Sequence, residues 1–281
     1  MILDRNENKE VIALLGAGGM GCAIVKKIAA GKKIFLGDIS EKKLEEVAND
    51  FRYHGYDVET MIVDGCDKES IEAYAQKAAT LGPVMYFIDS AGASPSQGNY
   101  EHIINLDLIG TSYAIDAFGK VMAKGGAGLV IASQTGYMGP NYDMETEMKL
   151  ALTPTDELKD LDVVKEIHGS GSAYILSKKV NQLRVRTAAA TSWAKRRARI
   201  NTISPGIIMT PVAYDEFQSP GNTYQNMIDQ SASQRVGTVD EIARAGEFLL
   251  SPQSGFITGI DLLIDGGVIA SLKSGKYHLG R

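Results

Sequence analysis

The chain has 281 residues, 44% hydrophobic and 22% charged, an ordinary globular composition with room for one large α/β domain or two small ones. Its net charge of −5 lacks the basic footprint of a nucleic-acid binder, and the one basic cluster, Lys195 to Arg199, reads as a solvated helix end. No apolar run reaches the roughly 18 residues of a membrane span, no signal peptide opens the sequence, and Cys22 and Cys66 make no disulfide framework, so a cytoplasmic protein without nucleic-acid or membrane partners is expected.

Strand-like and helix-like runs then alternate. The first strand, Glu10–Leu15, runs into "GAGGMG", with Gly16, Gly18, Gly19 and Gly21 ahead of a helix. Read as G-x-G-x-x-G in that context, the loop suits a dinucleotide: one glycine makes the turn, one admits the pyrophosphate, one lets helix and strand pack. Free N–H groups at the helix start, around Met20, would meet the phosphates. Cys22 sits where a thiol pKa can fall, although a small buried residue is the favoured reading. The second strand, Lys33–Gly37, delivers Asp38. A carboxylate there accepts both adenosine ribose hydroxyls and repels a 2′-phosphate. No Arg or Lys stands beside it in "LGDISE", so the expected cofactor is NAD(H). The third strand, Val58–Val63, offers Asp64 to the adenine amino group, or as a turn residue.

Strands at Val84–Ser90, Gly128–Ser133, Arg199–Ile203 and Ile260–Ile264 follow, with helices at Glu41–Phe51, Lys68–Leu81 and Tyr100–Met122. Near-continuously apolar strands separated by helices predict a doubly wound parallel sheet of about seven strands, covered on both faces. Thr238 to Glu241 reads as a capping box opening Glu241–Leu250. Thr153-Pro154 reads as an N-cap with proline at the first helical position. No linker or repeat divides residues 1–281, so one domain is expected.

"SAYILSKK" places Tyr174 and Lys178 one helical turn apart, on a shared face. Chance supplies that spacing readily, so position decides: this helix start faces the ligand-binding edge of such sheets. A phenol is a poor base near neutrality. A neighbouring ammonium stabilises the phenolate and lowers its pKa, which fits Tyr174 to proton transfer at a substrate oxygen. Ser133, ending its strand, can hydrogen-bond the same oxygen. His54, His102, His168 and His278 show no metal spacing and read as surface or capping residues.

Tyr174-x-x-x-Lys178 with Ser133 upstream resembles the short-chain dehydrogenase/reductase family. "DSAGAS" (89–94) is similar to its Asn-Asn-Ala-Gly turn, "NTISPGIIMTP" (201–211) to its Pro-Gly turn, and "GFITGIDLLIDGG" (255–267) to its terminal strand. The resemblance implies a Rossmann-fold enzyme, assembled as a homotetramer or homodimer, interconverting a secondary alcohol and a ketone with NAD(H). It implies cofactor contacts from Gly16, Gly18, Gly19, Met20, Gly21, Asp38, Ile39, Asp64, Gly65, Ser90, Ala91, Gly92, Tyr174, Lys178, Pro205, Gly206, Ile208 and Thr210. Thr210 takes the position that holds the nicotinamide carboxamide, and Lys178 that of the nicotinamide ribose.

Three departures stand out. The glycine loop is one residue short, Asp89-Ser90 replaces the Asn pair, and Asp107 stands where the family's catalytic Asn would precede Gly110. Asp107 is expected either to replace that Asn in holding Lys178 through water or to pair with Lys178 directly. An inserted segment at 138–170 emerges beside the substrate and reads as a lid, with Met138, Tyr142, Met144 and Met148 as apolar contacts. A substrate loop follows at 211–237. Together they suggest a bulky apolar substrate such as a hydroxysteroid. A catalytically idle NAD-sensing regulator is the alternative, disfavoured by the intact Ser133, Tyr174 and Lys178. The spacing of Tyr174 and Lys178 disfavours an enoyl reductase.

Overall fold

Short apolar strands form the centre because Val, Ile and Leu in extended chain fill both faces of a pleated sheet. Residues 9–210, 213–214 and 223–275 are described in this computed structural model. The strands are β1 (Val11–Leu15), β2 (Lys33–Asp38), β3 (Asp57–Ile62), β4 (Val84–Asp89), β5 (Met122–Ile131), β6 (Arg199–Pro205), β7 (Ile208–Met209), β8 (Gly237–Thr238) and β9 (Asp261–Ile264). Seven of them make one sheet in the order β3-β2-β1-β4-β5-β6-β9, every pairing parallel. The order reverses between β1 and β4, and the crevice beyond such a switch point is where these sheets bind ligands.

Alternation along β1 divides the core. Val11, Ala13 and Leu15 join one buried cluster, while Ile12 and Leu14 join the other. Helices α1 (Gly19–Ile28) and α2 (Glu41–Tyr53) cover the second face with the helix Val239–Leu250. Helix α3 (Lys68–Leu81) covers the first. The capping box is present: Thr238 Oγ1 accepts from the Glu241 N–H, and Glu241 accepts from the Thr238 N–H.

The expected helix Tyr100–Met122 is three pieces. A short α4 (Tyr100–Ile103) leads into a π-helical stretch, Ile104–Gly110, and then α5 (Thr111–Val121). A side chain at Gly110 would come within 1.9 Å of the Gly65 carbonyl oxygen, so only glycine permits this approach. The wider turn carries Asp107 into the interior, a frequent use of π segments at functional sites.

The insertion is folded. It holds α6 (Met144–Leu152), capped by Asp143 accepting from the Thr146 N–H, a 3₁₀ segment Thr155–Asp160, and α7 (Asp162–Lys165). The helix expected to open at Pro154 is therefore the 3₁₀ segment. Leu150, Leu158 and Val164 are buried against Ala173, Leu176, Val180 and Leu183 of α8 (Ser170–Ala190). The Arg184 guanidinium donates to the Thr153 carbonyl at 2.9 Å and to Thr155 Oγ1 at 2.8 Å, so α8 grips the insertion along its length.

Lys195 does end a short helix, but Arg199 opens β6, and its guanidinium donates to the carbonyls of Leu249, Ile257 and Ser251. The edge strand β9 is tied down by Asp261, whose carboxylate accepts from Thr202 Oγ1, Ser204 Oγ and the Tyr137 hydroxyl.

Candidate active site

The carboxyl ends of β1, β2, β4, β5 and β6 open into one cavity of about 600 Å³. Gly16 makes the first turn at φ +83°, and a side chain on it would strike the Ala91 backbone. Gly21 is buried against Leu14 and Ser90, the contact that lets α1 lie close to β1. Gly18 and Gly19 meet nothing nearer than 3.9 Å, leaving space beside the loop on the cavity side. Helix α1 starts at Gly19 with Gly18 as its N-cap, so its first N–H groups have no carbonyl one turn back. A positive-φ turn, open backbone and a helix start form a cradle that fits a pyrophosphate. Every residue assigned to the cofactor from sequence lines the cavity except Gly21, whose role is packing. No cluster of metal-ligating side chains occurs among the described residues.

Asp38 is held by its neighbours. Its Oδ2 accepts from the Ala17 N–H at 2.9 Å and its Oδ1 from the Ser40 N–H at 3.0 Å. It also has a cation: Lys43 Nζ lies 2.9 Å from Oδ2. The expectation that no Lys stands beside Asp38 is thus corrected. Lys43 is in the first turn of α2, and helical side chains lean toward the N-terminus, which brings its ammonium back over the strand end. Asp64 lines the cavity and also makes a turn, accepting from the Cys66 N–H at 2.8 Å. Cys22 is half-buried against the second core cluster, and burial pushes its thiol up to about 11.

At the other end stand Ser133, Tyr174, Lys178 and Asp107. Ser133 caps the 3₁₀ turn Gln134–Tyr137, its Oγ accepting from the Thr135 N–H at 3.2 Å. That use of a lone pair leaves its own O–H as a donor. Lys178 Nζ lies 5.2 Å from the centre of the Tyr174 ring. It pairs directly with Asp107 Oδ2 at 3.0 Å, both side chains being 5% exposed or less. Asp107 Oδ1 accepts from the Ala93 N–H at 2.8 Å. Of the two arrangements expected for Asp107, direct pairing is the one present. Burial acts against the Lys178 charge, but Asp107, Tyr174 and Asp89 outweigh it and raise its pKa above the usual lysine value. Asp89 is buried below, its Oδ1 accepting from the Ala91 N–H. Burial lifts its carboxyl to about 7, against the pull of Lys178.

The insertion does not supply the expected contacts. Met138, Tyr142, Met144 and Met148 are all absent from the cavity wall. Met138 packs with Met227 and Val268, Tyr142 packs against the α8 cluster, and Met144 and Met148 point to solvent. The reason is local: Leu150, on the opposite side of α6, is the residue that α8 buries. The wall instead includes Ser94, Gln97, His102, Thr135 and Tyr224. His102, read as a surface residue, is exposed and on the rim, and His168 is absent from it. Part of the substrate loop, residues 211–212 and 215–222, lies outside the described residues, as do the tail 276–281 and His278.

A family model described as short chain dehydrogenase matches residues 10–142, and one described as enoyl-(acyl carrier protein) reductase matches residues 163–269. The chain is 37% identical over 268 residues to the short-chain dehydrogenase/reductase bsc3 of Alternaria brassicicola, covering 94% of this chain and 97% of that one. It is 28% identical to the galactitol 2-dehydrogenase (L-tagatose-forming) of Cereibacter sphaeroides, covering 91% and 93%. It is 27% identical to the NADP-dependent mannitol dehydrogenase of Hypocrea jecorina, covering 92% and 91%. A solved short-chain dehydrogenase/reductase from Serratia marcescens superposes with a TM-score of 0.73 at 22% identity, covering 94% and 99%.

Proposed function

The chain belongs to the short-chain dehydrogenase/reductase family, and from that premise we propose that it interconverts a polyhydroxylated secondary alcohol and its ketone with NAD(H) as the preferred cofactor. The observation that carries the reading is the single cavity holding Asp38 at one end and Ser133, Tyr174 and Lys178 at the other.

With its pyrophosphate held at the Gly16–Gly19 turn, a nicotinamide dinucleotide would supply or accept the hydride. The chain's own groups handle the oxygen. In reduction, the Tyr174 hydroxyl gives a proton to the carbonyl oxygen as negative charge grows there. The Ser133 O–H donates to the same oxygen and orients it. The Lys178 ammonium stabilises the phenolate left behind. Asp107 fixes that ammonium in place, and its opposite charge tempers the effect. Lys178 has three N–H donors. Asp107 holds the ammonium as an ion-pair partner at 3.0 Å, and the ammonium donates to the Ile131 carbonyl at 3.5 Å. Cofactor choice follows from Asp38, since a carboxylate at the end of β2 favours a ribose diol over a 2′-phosphate.

Polar wall residues support a polyol rather than a steroid. Ser94, Gln97, His102, Thr135 and Tyr224 offer hydrogen bonds where the insertion was expected to offer apolar contacts. The galactitol and mannitol dehydrogenases among the relatives point the same way. The description of the C-terminal match favours enoyl reduction, but three residues between Tyr174 and Lys178, with Ser133 in the same cavity, favour carbonyl chemistry. The test is NADH oxidation by the purified protein against ketoses, simple ketones, ketosteroids and an enoyl thioester. Turnover of ketoses with the highest kcat/KM is expected. Turnover confined to the steroids or the enoyl thioester overturns the reading.

A further inference from the structure

The ribose end of the cavity holds a cation that an NAD(H)-selective site has no need of. Lys43 occupies the first turn of α2, with its backbone N–H donating to the capping Ser40 Oγ at 3.3 Å. A positive charge is disfavoured at a helix N-terminus. Its ammonium is nonetheless turned back to within 2.9 Å of Asp38 Oδ2, and it lines the cavity beside Ile39.

Counting acceptors shows the consequence. A carboxylate has about four lone-pair sites. At Asp38, Oδ2 serves the Ala17 N–H and Lys43, and Oδ1 serves the Ser40 N–H. One site remains on Oδ1, so the carboxylate receives one ribose hydroxyl rather than two. Lys43 has three donors and uses one on Asp38. Its side chain is 45% exposed, and its remaining N–H groups suit an oxygen acceptor. The local charge is also balanced, because the carboxylate that repels a phosphate sits against an ammonium that attracts one.

We propose that Lys43 is a cofactor-specificity residue that admits a 2′-phosphate at the ribose end, so that the chain binds NADPH as well as NADH. This rests on the reading of Asp38 as the ribose carboxylate. Asp38 still favours the diol, and Lys43 narrows its margin. The phosphate displaces Lys43 from Asp38 only partly, since the ammonium can hold both oxygens with separate N–H groups.

Direct titration tests this without turnover, following nucleotide fluorescence as NADH or NADPH is added to the wild-type chain, Lys43→Met, Lys43→Arg and Asp38→Asn. Wild type is expected to bind both. Lys43→Met is expected to weaken NADPH by about tenfold or more and NADH by less than about threefold, and the NADPH loss shrinks as salt screens the half-exposed charge. Lys43→Arg is expected to restore NADPH binding. Asp38→Asn is expected to weaken NADH and leave NADPH bound. If Lys43→Met leaves the ratio of the two Kd values within about twofold of wild type at low salt, where a lost exposed charge has its largest effect, the proposal is overturned. So it is if wild type binds NADH and shows no NADPH binding. If Lys43→Met shifts the ratio but Asp38→Asn does not, the ribose reading of Asp38 fails while Lys43 stands as a phosphate contact. Failure of wild type to bind either nucleotide overturns both.

Discussion

Two carboxylates act on the buried Lys178 ammonium. Asp107 pairs with Lys178 in the interior, and removing one partner of such a pair strands the other. Asp107→Ala is therefore expected to destabilise the fold by about 3–5 kcal/mol, read as a shift in urea midpoint. Asp107→Asn keeps an oxygen for the Ala93 N–H and removes only the charge. The ammonium then stabilises the Tyr174 phenolate more strongly, so the pH profile of kcat/KM for alcohol oxidation is expected to move to lower pH. An unmoved profile would show that Asp107 has no electrostatic hold on Tyr174. Asp89 carries the opposite lesson. Its carboxyl is lifted from 3.8 to about 7 by burial, so between those values the folded chain keeps a proton that the unfolded chain has lost. Its contribution to stability therefore falls as pH rises through that window and is flat above it. Asp89→Asn is expected to stabilise the protein above pH 7, by at most about 4 kcal/mol, with the gain vanishing near pH 4. Urea midpoints across pH measure it, and a gain that does not depend on pH contradicts the assignment.

At the scale of elements, the legible parts were those where local chemistry and tertiary role agree. Gly16, Asp38, Ser133, Tyr174 and Lys178 could be read because strand–turn–helix order fixes where each must point. Lys43 lies outside "LGDISE", and only the tilt of helical side chains brings this first-turn lysine back to the strand end. The π stretch at Ile104–Gly110 has no periodic signature, being set by the contact of Gly110 with the Gly65 carbonyl. In the insertion, Met144 and Met148 face solvent and Leu150 faces inward. Composition does not say which side of a short helix is buried; Leu150 and its contact with α8 do. The segment acts as a brace on the helix that carries Tyr174. Leu158→Ala, which empties a fully buried position, is expected to cost about 2–5 kcal/mol, seen as a lower urea midpoint. Preserved stability would show that the brace is not packed as described.

For the whole molecule, the doubly wound sheet was legible in strand composition and helix alternation, and its crevice brings both ends of the site together. No helix among the described residues is long and apolar enough to cross a membrane. The tetramer implied by the family resemblance is a proposal for light scattering, which distinguishes one 30.2 kDa chain from four. The central claim is that Tyr174 transfers the proton at the substrate oxygen. Steady-state NADH oxidation with a ketose, comparing wild type and Tyr174→Phe with NADH binding titrated alongside, tests it most directly. The account predicts a fall in kcat of about 10²- to 10⁴-fold with NADH still bound. Full activity in Tyr174→Phe would contradict it.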